Sequence, residues 1–219
     1  MHVRATQRTD QLTGLDGYDA FAERLTSALQ AAAAEGLSVS IALFDIDWFA
    51  KLNDEHGHEV GDAVLREVAR HLSKTFGDHA ALFRYGGDAF VALFEGMERE
   101  RAFLLAEKAR DTFDGEHTVR AGTQDVSLPA SISAGVSAYP DDGNSDTDLV
   151  RKANEALYRA KVTGPNKVCL GREEKMVTKT SHYTQGQLQG LARIAKRMGM
   201  GEAELLREGL DDLLRKYNA

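Results

Sequence analysis

The sequence contains a single cysteine, Cys169, and no long apolar run. One thiol cannot form an intrachain disulfide, and zinc sites built on cysteine pairs are also excluded, so a reducing compartment is the expected setting. No segment approaches the roughly 18 consecutive apolar residues that a membrane-spanning helix needs. Residues 1–4 lead into polar sequence rather than into the apolar core of a signal peptide. We therefore expect a cytoplasmic protein with no membrane partner.

The chain also lacks an excess of basic residues. It has 27 Lys and Arg against 34 Asp and Glu, which gives a net charge of -7. This balance argues against a nucleic-acid binder that relies on overall charge, but it leaves room for a local basic patch. With 42% apolar and 28% charged residues, the composition is typical of a soluble protein with a packed core. Because 219 residues exceed the usual domain size of about 100–150, we expect one medium domain and a small appendage.

Helical and strand patterns alternate along the first 170 residues. Apolar spacing predicts helices at 18–35, 48–55, 60–76, 98–113 and 146–162, and apolar runs predict strands at 37–45, 80–84, 90–94, within 126–139 and at 166–170. Between the second and third strands, Gly86 and Gly87 permit a tight hairpin turn, because glycine has no Cβ to clash. The tip of this hairpin can therefore approach a ligand closely.

Carboxylates collect at two strand ends. Asp45 closes an apolar run, so its carboxylate needs a cation or hydrogen bonds. Asp88 follows the paired glycines and can face Asp45 across adjacent strands, which would give an oxygen-rich site suited to Mg²⁺ or Mn²⁺. From the local sequence alone, a turn residue is the favoured explanation of Asp88. Asp47 has two explanations as well, and capping of the helix that begins at Trp48 is favoured over ligand binding.

The motifs within residues 10–170 resemble those of the GGDEF family in order and spacing. They are Asp10-Gln11-Leu12-Thr13-Gly14-Leu15, Asp45-Ile46-Asp47-Trp48-Phe49, Asn53-Asp54, Gly57-His58, Gly61-Asp62, Arg84-Tyr85-Gly86-Gly87-Asp88-Ala89-Phe90, Ser133-Ala134-Gly135-Val136 and Ala156-Leu157-Tyr158-Arg159-Ala160-Lys161. The resemblance implies a palm-like α/β fold with a central, mostly antiparallel sheet flanked by helices. It also implies condensation of two GTP molecules into cyclic di-GMP, with each domain of a homodimer presenting one GTP to the other.

The resemblance assigns roles to individual residues. It implies that Asp45, the Ile46 carbonyl and Asp88 bind Mg²⁺ or Mn²⁺, and that Asp88 favours deprotonation of the attacking 3′-hydroxyl. The remaining substrate contacts would be Asn53 and Asp62 on guanine, backbone amides near Trp48 and Phe49 on the phosphates, a positive charge from Lys161, Arg84 beside the site, and the turn at Gly86 and Gly87.

Several positions depart from the family pattern. Ala89 stands where the signature turn normally has a glutamate, Ala50 replaces a lysine, and Pro165 replaces an arginine that helps to hold the triphosphate. The segment Gly77-Asp78-His79-Ala80 also lacks the Arg-x-x-Asp of the family's inhibitory product site, so feedback there is not expected. We therefore expect a cyclase whose activity is weak or lost, the alternative being a catalytically inactive guanine-nucleotide sensor that acts as a DNA-binding or protein-binding regulator.

The composition changes after Gly171, so we predict a GGDEF domain at residues 1–171 and a separate module at 172–219. A β-prone segment at 176–183 and helical patterns at 185–198 and 202–217 resemble, more weakly, a ribbon-helix-helix unit. The apolar residues of these helices favour dimerisation or packing on the main domain. Lys175, Lys179 and His182 are the candidate DNA contacts, but nine Lys and Arg against seven Asp and Glu from Arg172 onward form a weak basic footprint, so dimerisation alone is the competing interpretation.

Overall fold

The computed structural model describes residues 9–171, 183–198, 201–203, 205, 206, 209, 210 and 216. The chain divides into two compact units, Met1–Glu173 and Glu174–Ala219. Within the described ranges, none of the helices has the length and apolar character required to cross a bilayer.

The first unit alternates helices and strands, largely as the sequence patterns predict. Its helices are α1 (Tyr18–Glu35), α2 (Phe49–His56), α3 (His58–Phe76), α4 (Arg99–Phe113) and α5 (Asp146–Val162), and a 3-10 turn spans Gly77–His79. Its strands are β1 (Val39–Ile46), β2 (Ala81–Gly86), β3 (Ala89–Glu95), β4 (Gly115–Ala121), β5 (Gln124–Ala130), β6 (Ile132–Tyr139) and β7 (Val168–Leu170).

Five of these strands form one sheet in the order β2-β3-β1-β6-β7. The pairings β2–β3, β3–β1 and β1–β6 are antiparallel, and β6–β7 is parallel. The prediction of a central, mostly antiparallel sheet flanked by helices is confirmed. Because β1 is the middle strand, Asp45 near its end has a neighbour on each side, Ala89 on β3 and Ser133 on β6.

The sequence patterns missed one strand and merged two others. Residues 126–139 contain most of β5 and all of β6, which belong to different sheets, because β5 pairs with β4 as a two-stranded hairpin. Strand β4 was not predicted, because Val119 is its one fully buried residue. Its alternation is therefore too weak for an apolar pattern to indicate a strand.

Both faces of the sheet carry an apolar core, which explains why β1 is an almost continuous apolar run. Val39, Ile41 and Leu43 pack in the cluster that contains α1 and α5. Phe44 and Ile46 pack in the cluster that contains α3, α4 and the β4–β5 hairpin. Since side chains alternate along a strand, Asp45 continues the face covered by α5.

Gly135 on β6 allows α5 to lie unusually close to the sheet. A Cβ atom built at Gly135 would lie 2.0 Å from the Ala153 carbonyl oxygen and 2.4 Å from the Leu157 backbone nitrogen. Both are backbone atoms of α5, so the helix would have to shift. This close contact fixes the helix that carries Lys161 in its last turn.

The second unit contains α6 (Gln185–Met198), which coincides with the first predicted helix of the C-terminal module. Thr184 and Gln187 form a reciprocal cap: the Gln187 backbone amide donates to Thr184 Oγ1 at 3.3 Å, and the Thr184 backbone amide donates to Gln187 Oε1 at 2.9 Å. Lys175, Lys179, His182 and all of the β-prone segment except Tyr183 lie outside the described residues, as does most of the second predicted helix. The ribbon-helix-helix resemblance therefore stays a prediction.

We predict that Gly135→Ala destabilises the first unit by about 1–3 kcal/mol, because the added methyl group overpacks the contact between β6 and α5. The free energy of unfolding in urea, followed by circular dichroism, measures the effect. Gly190→Ala in α6 is the matched control, since a Cβ there would have nothing within 4 Å. Equal unfolding midpoints for Gly135→Ala and the parent protein would contradict this account of the packing.

Candidate functional site

Asp45 lies at the edge of the sheet where β1 ends, and its carboxylate meets one cation and one anion. Lys161 Nζ donates a hydrogen bond to Asp45 Oδ1 and another to the Ile46 carbonyl oxygen at 3.3 Å. The Asp88 carboxylate lies close enough to repel that of Asp45. Burial raises the pKa of Asp45, the Lys161 ammonium opposes that shift without cancelling it, and Asp88 adds to it.

The β2–β3 hairpin brings Asp88 to this position. Gly86 and Gly87 at its tip have φ values of 142° and 56°, in the region that favours glycine, as the sequence predicted for a tight turn. The strand register shifts between Arg84 and Gly86, after which Ala89 pairs with Asp45. We call Asp45 and Asp88 the carboxylate pair.

The carboxylate pair and the Ile46 carbonyl supply oxygen ligands of the kind that Mg²⁺ and Mn²⁺ prefer. In the described part of the chain, no group of three His, Cys, Asp or Glu side chains is arranged to hold a metal ion. A divalent ion here would therefore take further ligands from water or phosphate, which is the usual arrangement for Mg²⁺ beside a nucleotide. The Lys161 ammonium already lies against two of these oxygens, so the oxygens do attract a cation.

Ala89 faces the same region as the carboxylate pair. It is the direct partner of Asp45 in the antiparallel register, and residues paired in this way have their side chains on one face, with Cβ atoms about 4.5–5.5 Å apart. A methyl group therefore occupies the position where the family pattern has a carboxylate. The site has two acidic side chains where the pattern provides three.

The corner between α2 and α3 holds the two residues predicted to contact guanine. Asn53 Oδ1 is buried and has no hydrogen-bond partner among the described residues, although such atoms are normally paired. Gly61 makes room for it, because a Cβ there would lie 1.9 Å from Asn53 Oδ1 and 3.3 Å from the Phe49 ring. Asp62 is exposed on the next residue of α3. An amide and a carboxylate are thus available at neighbouring positions.

Helix α2 begins at Phe49, one residue later than predicted. Trp48 precedes it in a left-handed conformation, with φ 58° and ψ 26°, which costs an L-residue roughly 1–2 kcal/mol. No side chain of the described residues caps this helix end, and its first internal hydrogen bond joins the Leu52 amide to the Trp48 carbonyl. The amides of the first turn therefore remain available to an anion, as predicted for phosphate.

The prediction that Asp47 caps α2 was wrong. Asp47 is buried, and its carboxylate accepts hydrogen bonds from Ser131 Oγ and Ser133 Oγ, both at 2.7 Å, and from the Asn166 backbone amide at 2.8 Å. The left-handed turn at Trp48 starts the helix without a side-chain cap, and Asp47 is directed toward β6 instead. Asp47 therefore ties the end of β1 to the start of β6 and to the loop that precedes β7.

Arg84 lies beside the carboxylate pair and supports the hairpin tip. It donates through Nη2 to the Gly87 carbonyl, and its guanidinium lies 4.7 Å from the centre of the Phe90 ring. Burial lowers the pKa of Arg84, while nearby carboxylates, among them Asp88 and Asp62, oppose that shift. Its cation thus belongs to the same electrostatic environment as the carboxylate pair.

The two positions that lack the family's basic residues are Ala50 and Pro165. Ala50 is exposed in the first turn of α2, and Pro165 lies in the loop after α5. Lys51, next to Ala50, forms an ion pair with Glu55 at 3.7 Å. Both residues of this pair line a separate cavity of about 450 Å³ between α2 and β5, which neither member of the carboxylate pair lines.

The mixed sheet with helices on both faces, and acidic residues meeting at the end of its central strand, define a palm-like α/β domain. A sequence model described as "Diguanylate cyclase, GGDEF domain" matches residues 7–167. The chain belongs to the GGDEF family.

Individual relatives agree with this assignment. Response regulator PleD of Caulobacter vibrioides is 38% identical over 160 residues, which are 73% of this chain and 35% of that protein. Diguanylate cyclase A of Treponema denticola is 33% identical over 135 residues, which are 62% of this chain and 36% of that protein. The GGDEF domain of DgcB from Caulobacter crescentus, solved in complex with c-di-GMP, has a TM-score of 0.70 at 28% identity and covers 79% of this chain and 98% of that one. The chain thus spans about a third of the length of these two curated relatives.

We predict that Asp47→Ala destabilises the first unit by roughly 3 kcal/mol, because one buried and two partly buried donors lose a shared acceptor. Ser131→Ala removes only one of these hydrogen bonds and should cost about 1 kcal/mol. Urea unfolding of both variants measures the difference. If Asp47→Ala is no less stable than Ser131→Ala, Asp47 does not have the structural role assigned here.

Proposed function

We propose that this chain binds GTP together with Mg²⁺ or Mn²⁺ and condenses two GTP molecules into cyclic di-GMP at a low rate. The observation that carries the proposal is the convergence of Asp45, Asp88 and the Ile46 carbonyl at one edge of the sheet. Family membership supports the same reaction, since diguanylate cyclase is the activity in the family description.

In this proposal the carboxylate pair and the Ile46 carbonyl would hold the metal. When bound there, a divalent ion would supply positive charge to the attacking and leaving oxygens at the α-phosphate. Asp88 accepts the proton of the attacking 3′-hydroxyl, and the amides at the start of α2 receive the phosphates. The 3′-oxygen forms a bond to the α-phosphorus, and pyrophosphate leaves.

Selectivity for guanine is assigned to Asn53 and Asp62. The guanine edge offers N–H donors and carbonyl acceptors, which an amide and a carboxylate can satisfy together, whereas adenine would leave these groups unpaired. The buried carboxamide oxygen of Asn53 supports this assignment, because a ligand donor would give it the partner that the described residues do not provide.

The low rate follows from three substitutions relative to the family pattern. Ala89 removes an acidic side chain from the face of Asp45, while Ala50 and Pro165 remove positive charge from the expected triphosphate contacts. Guanine contacts are unaffected by these changes. Guanine recognition is therefore retained, whereas triphosphate and metal binding are weakened.

Condensation needs two GTP-loaded domains to meet, so we propose that the C-terminal unit forms a homodimer. The large apolar side chains Leu188 and Ile194 of α6 are 47% and 41% exposed, which makes this helix suited to packing against a second copy. Joining two chains raises the effective concentration of one half-site near the other. DNA contact through Lys175, Lys179 and His182 remains a prediction from sequence alone.

We predict that Ala89→Glu raises turnover by roughly 10- to 100-fold, because the new carboxylate joins the metal ligands opposite Asp45. The measurement is the formation of cyclic di-GMP from GTP and Mn²⁺, resolved by chromatography, at high protein concentration. Asp88→Asn in the Ala89→Glu background is the control and should abolish the product.

The outcome of this assay separates the two proposed functions. Product from the unmodified chain supports a slow cyclase. Product from Ala89→Glu alone, together with GTP binding by the parent protein, supports a nucleotide sensor on an intact scaffold. If neither the unmodified chain nor Ala89→Glu forms cyclic di-GMP, the cyclase proposal is rejected.

We predict that Asn53→Ala weakens GTP binding by about tenfold while leaving ATP binding unchanged, because a buried hydrogen bond to guanine is lost. Isothermal titration calorimetry with Mn²⁺ and each nucleotide measures both affinities. Asn154→Ala is the matched control, since Asn154 is an exposed asparagine on α5 that donates to the Val150 carbonyl. Equal losses of GTP and ATP affinity in Asn53→Ala would count against guanine recognition by this residue.

A further inference from the structure

Lys161 is seated on the oxygens that the proposed function gives to a divalent ion. Its ammonium donates to Asp45 Oδ1 and to the Ile46 carbonyl, so one cation already serves both ligands that β1 provides. These contacts join residues 116 and 115 positions apart in the chain. The resemblance to the family assigned this lysine to phosphate, whereas here it neutralises the metal ligands themselves.

An ammonium and a divalent ion compete at such a position. Mg²⁺ binds its oxygen ligands at about 2.0–2.1 Å, so an ion on Asp45 and the Ile46 carbonyl would lie within close range of Lys161 Nζ. Two cations this close repel each other, and the oxygens that stabilise one are no longer available to the other.

The lysine is able to leave while its helix stays in place. Its side chain is 33% exposed and sits in the last turn of α5, where its four-carbon chain can turn toward solvent. Helix α5 is held by the close contact at Gly135 and by Arg159, which donates to the Leu170 and Gly171 carbonyls. Displacement therefore requires a rotamer change of one side chain only.

We infer that Lys161 is an internal counter-ion that occupies the ligands of the divalent ion in the metal-free protein, and that the ion binds by displacing it. The displaced ammonium is then free to meet the phosphates of a nucleotide. Metal binding and nucleotide binding support each other through this one side chain. The inference rests on the proposed function for the identity of the ion, but it does not depend on turnover.

The variant Lys161→Met should change Mn²⁺ affinity and GTP affinity in opposite directions. Lys161→Met removes the competing cation, so Mn²⁺ without nucleotide should bind roughly threefold more tightly, the size expected for a partly exposed ion pair. In the presence of Mn²⁺, the same variant should bind GTP more weakly, because the ammonium no longer reaches the phosphates. A lysine whose only role is to contact phosphate would change GTP affinity and leave Mn²⁺ affinity unaltered.

The test is a Mn²⁺ titration of the full chain without nucleotide, with free Mn²⁺ measured by electron paramagnetic resonance. Lys161→Arg retains the charge and should bind Mn²⁺ as the parent protein does. Lys167→Met removes an exposed lysine that donates to Thr163 Oγ1 at 3.2 Å, and it controls for a general loss of positive charge. Thermal unfolding by circular dichroism verifies that each variant is folded.

A second readout follows the amine directly. Acetylation of Lys161, measured by mass spectrometry, should accelerate when Mn²⁺ is added to the parent protein, whereas acetylation of Lys167 should not change. Unaltered or weaker Mn²⁺ binding in Lys161→Met would overturn the inference. A rate of Lys161 acetylation that does not change when Mn²⁺ is added would overturn it as well. Absence of Mn²⁺ binding in every variant would overturn it together with the metal site. Tighter Mn²⁺ binding in Lys161→Met, combined with no GTP binding by any variant, would reject the proposed function and retain this inference.

Discussion

A carboxylate at the end of a buried strand needs a cation or hydrogen bonds, and the arrangement around Asp45 meets this requirement with a cation. Asp45 is the one position of β1 that is not fully buried, and Asp88 adds a second negative charge beside it. Lys161 supplies the cation from α5, which the close contact at Gly135 holds against the sheet. The close packing at Gly135 thus helps to hold the helix that balances charge at the end of the central strand.

Local patterns predicted the elements whose burial is periodic, and missed those whose stability comes from distant partners. The bounds of α1 and α5 follow directly from apolar spacing, because each helix buries one continuous face. Strand β4 has no such face and depends on pairing with β5. Asp47 illustrates the same limit, since a carboxylate before a helix indicates a cap, but its partners are 84, 86 and 119 residues away.

Some features of the candidate site could also be predicted from the sequence, and others required the structure. Ordered motifs located the carboxylate pair, Asn53, Asp62 and Lys161, because spacing along the chain is sufficient to align them with the family. Spacing does not reveal which oxygen an ammonium contacts, so the pairing of Lys161 with Asp45 and Ile46 required three-dimensional structure. The left-handed backbone of Trp48 was equally hidden, since nothing in its side chain favours that conformation.

Ala89 has a consequence for charge as well as for catalysis. With alanine, the two carboxylates share the site with the Lys161 ammonium and the nearby Arg84 guanidinium, whereas a glutamate opposite Asp45 would add one further negative charge. The additional charge would strengthen the attraction for a divalent ion and also increase repulsion at the sheet edge when the ion is absent. Under the proposed function, alanine would therefore weaken metal binding while reducing this repulsion, in keeping with a domain that holds guanine nucleotide but turns it over slowly.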